Sequence, residues 1–510
     1  MKKESAWLKL EKVVGLGILL LGSLCFLAML IEAWQPAIIG DETFSMNLIK
    51  CGYVDIIRLT AQDVHPPLYY LILKFVVGIG ALLGVTAVTA GKIASIIPFF
   101  LLGIISFTEI NRRFGKCAAG IFYLCVMGMP HMQKFAVEIR MYSWGMLFLV
   151  MAYLAFYDIL YSGFKKEAWI KLVFFTVAAS YTHYFACMAA GYLYLALLIY
   201  CAIWKRDMCK SWILYSMVTG ICYLPWLPIL IKQITAVKSN YWIENISLSS
   251  LKAYFQFIFN PAVYIYYSGT ILGLFLFIIF GLIVFVILFK QNGNSKEKQK
   301  EINYCIFAGS LQTVFVIFVG ILFSWFATPI LVQRYLFFCM GVLWLSFSIA
   351  VSQMKKQIVV TGVCLFLMMV AFLNLKAFIR TEEESRAGWK EMDAILAEIG
   401  ENDIILSNFG QVRLALSYYK PKIKVCYYWR QRTESLFLNL YGNLEDTRDE
   451  EAVFSHLTDK NTIYYFDTLG IGEFHLQDDF SEDGIVFEKM ETCLIEDIWV
   501  QVYKIRRSSC

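Results

Sequence analysis

The sequence predicts an all-α polytopic membrane domain of about 11 transmembrane helices, followed by a small α/β or α+β domain. Three observations predict it. Of the 510 residues, 59% are hydrophobic and 16% aromatic while only 17% are charged, a balance far from that of a soluble domain of this length. The apolar residues fall into runs of roughly 20, the length that crosses a bilayer, separated by short Lys and Arg clusters. From about Ala377 the runs stop, and charges, turns and mixed periodicity replace them. The net charge of +5 is spread over those clusters, which is the pattern of topology signals and not of a nucleic-acid surface. The 14 cysteines show no CxxC or Cys/His ligand spacing, and Cys25, Cys187 and Cys222 sit in apolar stretches as small hydrophobes, so neither a disulfide framework nor a zinc site is expected.

The spans can be threaded in order by keeping basic clusters on the cytoplasmic side. Val13 to Ile31 follows Lys2, Lys3, Lys9 and Lys12, is long and lacks a small-residue cleavage site, and so reads as a retained first span emerging near Trp34. Residues 35–67 then form a first outer loop carrying Asp41, Glu42, Asp55, Asp63 and His65. Of the next two apolar segments only Lys92 to Ile110 crosses, which keeps Arg112, Arg113 and Lys116 inside; Leu68 to Leu83, short and preceded by Pro66-Pro67, lies in the interface or re-enters. Cys117 to Ala136 returns outward and presents Glu138-Ile-Arg140-Met-Tyr142, and Ser143 to Tyr161 goes back to Lys165 and Lys166. The apolar stretch from Lys171 to Lys205 has basic ends and fits a hairpin with Thr182-His183-Tyr184 at its outer turn. Trp212 to Ile231 crosses outward, Gly269 to Phe289 returns to the basic linker Lys290 to Lys300, and Tyr304 to Trp325, Tyr335 to Val351 and Ile358 to Leu375 complete the count. The N-terminus is then cytoplasmic and the C-terminal domain outside, in a multi-pass protein of the plasma (inner) membrane. In that domain Trp389, Met392, Leu396 and Ile399 recur at helical spacing before Gly400, and Asp403 to Ser407, Ile423 to Tyr428, Thr462 to Phe466 and Trp499 to Ile505 read as strands. The domain boundaries are 1–376 for the membrane part and 377–510 for the appendage.

This threading delivers the distinctive polar residues to one face. Asp41-Glu42 lies at headgroup level, joined there by Asp63-Val64-His65-Pro66-Pro67-Leu68, Glu138-Ile139-Arg140-Met141-Tyr142, Thr182-His183-Tyr184 and Gln333-Arg334-Tyr335. Taken singly, each has a structural explanation: a solvated loop acid, a turn histidine, an arginine snorkelling toward headgroups. Their collection on one side is what asks for a joint purpose.

An Asp-Glu pair just after the first span, followed by Asp-Val-His-Pro-Pro-Leu, resembles the first outer loop of the protein O-mannosyltransferases. The Glu-x-Arg-Met-Tyr, Thr-His-Tyr-Phe and Arg-Tyr segments resemble more closely the bacterial aminoarabinose-transferase and dolichyl-phosphate-mannose-mannosyltransferase branch of the GT-C glycosyltransferases. The resemblance covers residues 1 to about 376 and the tail only loosely. It implies a GT-C fold, a polyprenyl-phosphate-linked monosaccharide donor, transfer on the non-cytoplasmic face with inversion, and Asp41 as catalytic base. The sequence departs from the mannosyltransferases in having no lysine directly after Pro-Pro-Leu, the nearest being Lys74, and in lacking a β-trefoil insert.

The chemistry points the same way. A sugar hydroxyl is a poor nucleophile, and a carboxylate that takes its proton contributes about 10²- to 10⁴-fold. A phosphate leaving group needs cations and no second acid, so one base plus arginines suffices. Asp41 is the candidate base and Glu42 its neighbour that orients the acceptor or a cation. Arg140 and Arg334 carry guanidinium forks suited to phosphate oxygens, with His65, Lys74, Asp63, Tyr142 and His183 as further donor-binding candidates. Asp41 and Glu42 are also the candidate ligands of a divalent cation, though two carboxylates make an incomplete set. The expected partners are the lipid-linked donor, membrane lipid and a protein, glycolipid or cell-wall glycan acceptor, with no nucleic acid. The competing reading is a transporter or lipid flippase, whose ionisable residues belong near the bilayer midplane in broken helices.

Overall fold

The structure is a computed structural model; it describes residues 2–38, 40–162, 165–237, 243, 245–262, 266–289, 296–428, 440–447, 454–455, 457–458, 460–469, 476, 485–495 and 498–507. Part of the expected basic linker, residues 290–295, lies outside the described residues. Among the described residues, nine helical segments are long and apolar enough to cross a membrane. The chain is a multi-pass membrane protein.

The described residues divide into two compact units. The first comprises Met1–Ala33, Asp63–Ile72 and Lys92–Phe378, and the second Trp34–Gln62, Leu73–Gly91 and Ile379–Cys510. In the first unit, α1 (Lys2–Glu32) is followed by the pair α5 (Ala87–Ile105) and α6 (Asn111–Gly128), joined through a π turn. The apolar segment Ala87–Gly128 counts as one in length yet holds two of the expected spans. Gly115 has φ 85°, a value open to glycine and strained for other residues, and it breaks the helix between Arg113 and Lys116. The chain doubles back there: the Phe107 and Tyr123 rings lie 5.0 Å apart, and Gly103 faces Tyr123 and Met127. Next come α8 (Tyr142–Ser162), α9 (Lys166–Ser180) and α10 (Tyr184–Trp204); α9 and α10 are the two arms of the expected hairpin, and α9 is 15 residues long. The segment Arg206–Thr235 and the helices α14 (Tyr266–Phe289), α15 (Lys296–Phe326) and α16 (Phe337–Ser352) follow. The apolar helix α4 (Leu68–Leu82) is 15 residues long, as its short apolar run requires.

The bundle closes around α16, whose apolar window is 94% buried. Lipid gives apolar helices no reason to associate, so close backbone approach and buried hydrogen bonds must hold them. Both are present. A Cβ on Gly145 would meet the Phe338 ring at 2.4 Å, and one on Gly341 would meet Met146 and Val150 at 2.7 Å. Tyr153 donates to the Cys305 carbonyl at 2.7 Å and lies 3.0 Å from Ser346 Oγ, while Gln312 donates to the Ala189 carbonyl at 2.8 Å.

The last helix, α17 (Gln357–Glu398), runs unbroken for 42 residues; its first half is apolar and its second half is charged except for the stripe Met392, Ile395, Leu396 that enters the core of the second unit. That core is a six-stranded sheet of order β3-β2-β1-β4-β6-β5, formed by β1 (Ile404–Ser407), β2 (Lys424–Tyr428), β3 (Leu444–Thr447), β4 (Ile463–Thr468), β5 (Ile485–Ile495) and β6 (Ile498–Arg507). The four strands β3, β2, β1 and β4 run parallel, and β6 and β5 are antiparallel additions. β1, β2, β4 and β6 correspond to the strands expected from the sequence. Between β1 and β2 lies α18 (Gly410–Tyr419). Asn408, the residue after β1, donates to Asp467 at 2.7 Å and accepts from the Thr468 amide at 3.0 Å in the last two positions of β4, all three residues being buried.

Candidate active site

In the first unit the expected site residues meet at the start of α10. Residues 181–183 turn between α9 and α10, and His183 takes the extended backbone that ends one helix and starts the next. Its Nδ1 accepts the Phe185 amide hydrogen at 3.1 Å, a helix cap made by a ring nitrogen. A neutral imidazole whose Nδ1 accepts must carry its proton on Nε2. Burial first, and then the charges of His65, Arg140 and Arg334, hold His183 well below the usual histidine range, so the ring is neutral and presents an Nε2–H donor. Those charges belong to the residues singled out by the sequence, here gathered around one ring.

Each has a local reason to be there. His65 precedes Pro66-Pro67 and is oriented by Asp63, whose Oδ2 lies 3.1 Å from His65 Nδ1. The Leu68 amide bonds the Tyr181 carbonyl at 3.0 Å, which ties this turn to the α9–α10 turn and leaves the His65 and His183 rings 5.4 Å apart. Arg140 is only 3% exposed, in the short stretch between α7 (Met132–Val137) and α8, where its amide bonds the Glu138 carbonyl at 2.7 Å. Its Nη1 reaches the Tyr70 hydroxyl at 3.4 Å. Arg334 lies in the 3-10 turn Gln333–Leu336 that leads into α16, its guanidinium 5.9 Å from the Tyr335 ring. Tyr335 and Phe338 flank His183 with ring centroids at 4.7 and 4.6 Å. Tyr142 opens α8 and packs on Phe135 at 4.7 Å and on Phe338 at 5.6 Å. The first unit thus assembles Asp63, His65, Arg140, Tyr142, His183 and Arg334; the sequence reading missed Tyr70, whose hydroxyl has no motif to mark it.

The second unit holds Asp41, Glu42 and Lys74. Asp41 and Glu42 occupy the first turn of α2 (Gly40–Leu48), where the positive end of the helix dipole favours carboxylates. Gly40 has φ 47° and faces Gln411 of α18. Thr43 donates to the Gly40 carbonyl at 2.8 Å and lies 3.2 Å from the Tyr441 hydroxyl. The Tyr419 hydroxyl accepts from the Ile38 amide at 2.9 Å and reaches the carbonyls of Pro36 and Ile38. Burial pushes the Tyr441 hydroxyl up; its bonds to Thr43 and Asn47 oppose that, and the Asp41 carboxylate and Arg413 guanidinium act on it in opposite senses. Lys74 is fastened within its own unit, donating to the Ile49 carbonyl at 2.8 Å over the Tyr53 face. Among the described residues no group of three or more His, Cys, Asp or Glu side chains gathers into a cation site. Asp41 and Glu42 by themselves are two carboxylates, short of the roughly six or more oxygens that a divalent cation such as calcium takes. Tyr419 and Tyr441 carry no local signal; their partners Pro36, Ile38 and Thr43 are hundreds of residues away in sequence.

No protein-family model matches the chain, and no curated protein sequence does. Solved structures do resemble it: ArnT from Cupriavidus metallidurans in the apo state superposes with a TM-score of 0.57 at 9% identity, over 96% of this chain and 97% of that one. The same protein bound to undecaprenyl phosphate gives 0.55 at 10% identity with the same coverage. This chain has the GT-C glycosyltransferase fold. The GT-C likeness extends through the C-terminal sheet, since 96% of the chain is matched.

Proposed function

We propose that this protein is a glycosyltransferase that moves a monosaccharide from a polyprenyl-phosphate-linked donor to a hydroxyl acceptor on the outer face of the membrane, with inversion. The observation that carries this reading is the grouping, in a chain of GT-C fold, of the buried Arg140 with His183, whose ring lies 5.4 Å from His65 and 4.7 Å from the Tyr335 ring over which Arg334 sits at 5.9 Å. The buried Arg140, the half-buried Arg334 and an Nε2–H donor suit the phosphodiester of a lipid-linked sugar and the polyprenyl phosphate monoester it releases, and membrane helices around them suit a lipid-borne ligand. The related ArnT structure was solved with undecaprenyl phosphate, which supports a polyprenyl donor.

In the proposed reaction the acceptor hydroxyl attacks the anomeric carbon as Asp41 takes its proton. The bond from that carbon to the donor phosphate breaks, the new glycosidic bond forms on the opposite face, and polyprenyl phosphate departs with the electron pair. Arg140 and Arg334 meet the charge that grows on the departing phosphate, His183 donates to one of its oxygens, and Asp63 fixes the His65 ring. Glu42 orients the acceptor. Lys74, held by Ile49 and Tyr53, braces the first loop.

The test is twofold. Cells lacking the protein should accumulate polyprenyl-phosphate sugar and an under-glycosylated product, whereas unchanged glycans with impaired solute uptake would favour a transporter. Purified Asp41→Asn should fold normally and lose at least about 10²-fold in turnover; turnover like that of the unaltered protein would discard Asp41 as the base.

A further inference from the structure

Among the described residues of the second unit, Arg413 is a buried cation that the proposed reaction leaves without a task. It lies on α18 at 5% exposure, and its guanidinium sits 4.1 Å from the Tyr427 ring centroid. The Tyr427 ring face favours a cation there, and a guanidinium taken out of water is stable beside an anion. Among the described residues α18 packs on β1, on β2, which carries Lys424 and Tyr427, and on α2, whose first turn carries Asp41 and Glu42. The two helices approach closely where it matters, since a Cβ on Gly40 would lie 3.5 Å from Gln411, two residues before Arg413. Tyr441 stands between them, 3.2 Å from Thr43 and within the field of both Asp41 and Arg413.

We propose that Arg413 is a positioning residue for the first-loop acids: laid flat on Tyr427, its guanidinium is the counter-charge that holds the Asp41 carboxylate in place and ionised. This rests on Asp41 being the base of the reaction above, and it gives the C-terminal sheet a part in the site. The C-terminal segment supplies the cation, α2 supplies the anion, and Tyr441 bridges them.

Carbodiimide labelling of the purified full chain, followed by peptide mass spectrometry, tests it without knowledge of the sugar, because carbodiimides attack protonated carboxyl groups. Arg413→Gln should raise the labelling rate of Asp41 at pH 7 by about tenfold, the usual effect of losing one adjacent opposite charge. Exposed Glu401 should label at an unchanged rate, and Arg413→Lys should restore labelling toward that of the unaltered protein. A merely structural arginine would not single out Asp41. Melting temperatures of Arg413→Gln, Asp41→Asn and the double variant give an independent readout, in which the shift caused by Arg413→Gln should largely vanish once Asp41 is Asn. Unmoved Asp41 labelling, or a shift as large in the Asp41→Asn background, overturns the proposal. If Arg413→Gln does not fold, Arg413→Met, which also removes the charge, takes its place in the same cycle with the same criterion. Full transfer by Asp41→Asn would remove the base and leave the labelling result standing, whereas unmoved labelling would remove Arg413 and leave the base.

Discussion

At the scale of single residues, His183 is the most informative side chain. Its Nδ1 is committed to the cap of α10, and its environment disfavours a second proton. The sign of the resulting pH dependence is fixed. The unfolded chain gains a proton as pH falls through the ordinary histidine value of about 6.5, while the folded chain does not until a lower pH, so folding loses stability on acidification. The melting temperature in detergent should therefore decline from pH 7.5 to pH 5, and His183→Gln should decline less. Arg140 and Arg334 make a second residue-scale prediction. A charge-assisted hydrogen bond to phosphate is worth about 1.5–3 kcal/mol, so Arg140→Ala or Arg334→Ala should raise KM for the lipid-linked donor by about tenfold or more. Steady-state kinetics with purified variants would check it; an unchanged KM would remove the arginine concerned from the donor site.

At the scale of elements, two glycines are held by different constraints. Gly115 reverses the chain between α5 and α6 with a positive φ but has open space at its Cβ position, so Gly115→Ala should cost about 1–2 kcal/mol through backbone strain alone. Gly128 has the opposite problem. Its backbone is helical, yet a Cβ would lie 2.5 Å from Ala371 Cβ and 3.2 Å from its Cα, so Gly128→Ala should force α6 away from α17 at a cost of about 1–3 kcal/mol. Asn374, which donates to the Gly128 carbonyl at 2.9 Å and accepts from the Ala262 amide at 2.8 Å, would be disturbed with it. Thermal unfolding should show both losses, and Ala371→Gly should rescue Gly128→Ala but not Gly115→Ala. The reversal at Gly115 was legible in the sequence because Arg112, Arg113 and Lys116 mark it. β5 was not: its alternation is interrupted by the register shift between Lys489 and Thr492. β3 is four residues of mixed polarity and gives no periodicity to read.

At the scale of the whole molecule, the sequence reading succeeded where the solvent writes the pattern. Apolar length and basic clusters locate the spans, and the polar residues that meet in the first unit were conspicuous because they interrupt apolar runs near helix ends. It failed where long-range contact decides. Tyr419 grips Pro36 and Ile38, and Tyr441 meets Thr43, across separations of 381 to 398 residues that no local pattern records. These bonds make the first loop depend on the C-terminal residues. Removing residues 379–510 should leave residues 34–62 open to protease cleavage and abolish transfer, and Tyr419→Phe should produce a milder increase in cleavage, about 1 kcal/mol being the worth of such a hydrogen bond. Limited proteolysis with peptide mapping would measure both.

The sheet of the second unit carries one more consequence. Its chain runs outward from β1 through β2 to β3, then returns to place β4 on the other side of β1. In open parallel sheets the gap beyond the carboxyl ends of two such strands is where small ligands customarily lodge. Here Asn408, just past β1, spends its side-chain amide on Asp467 and its carbonyl on Thr468 in the last two positions of β4. The polar groups at this end of the β1–β4 pair are committed to one another, so Asn408→Ala would leave the buried Asp467 carboxylate without its amide donor.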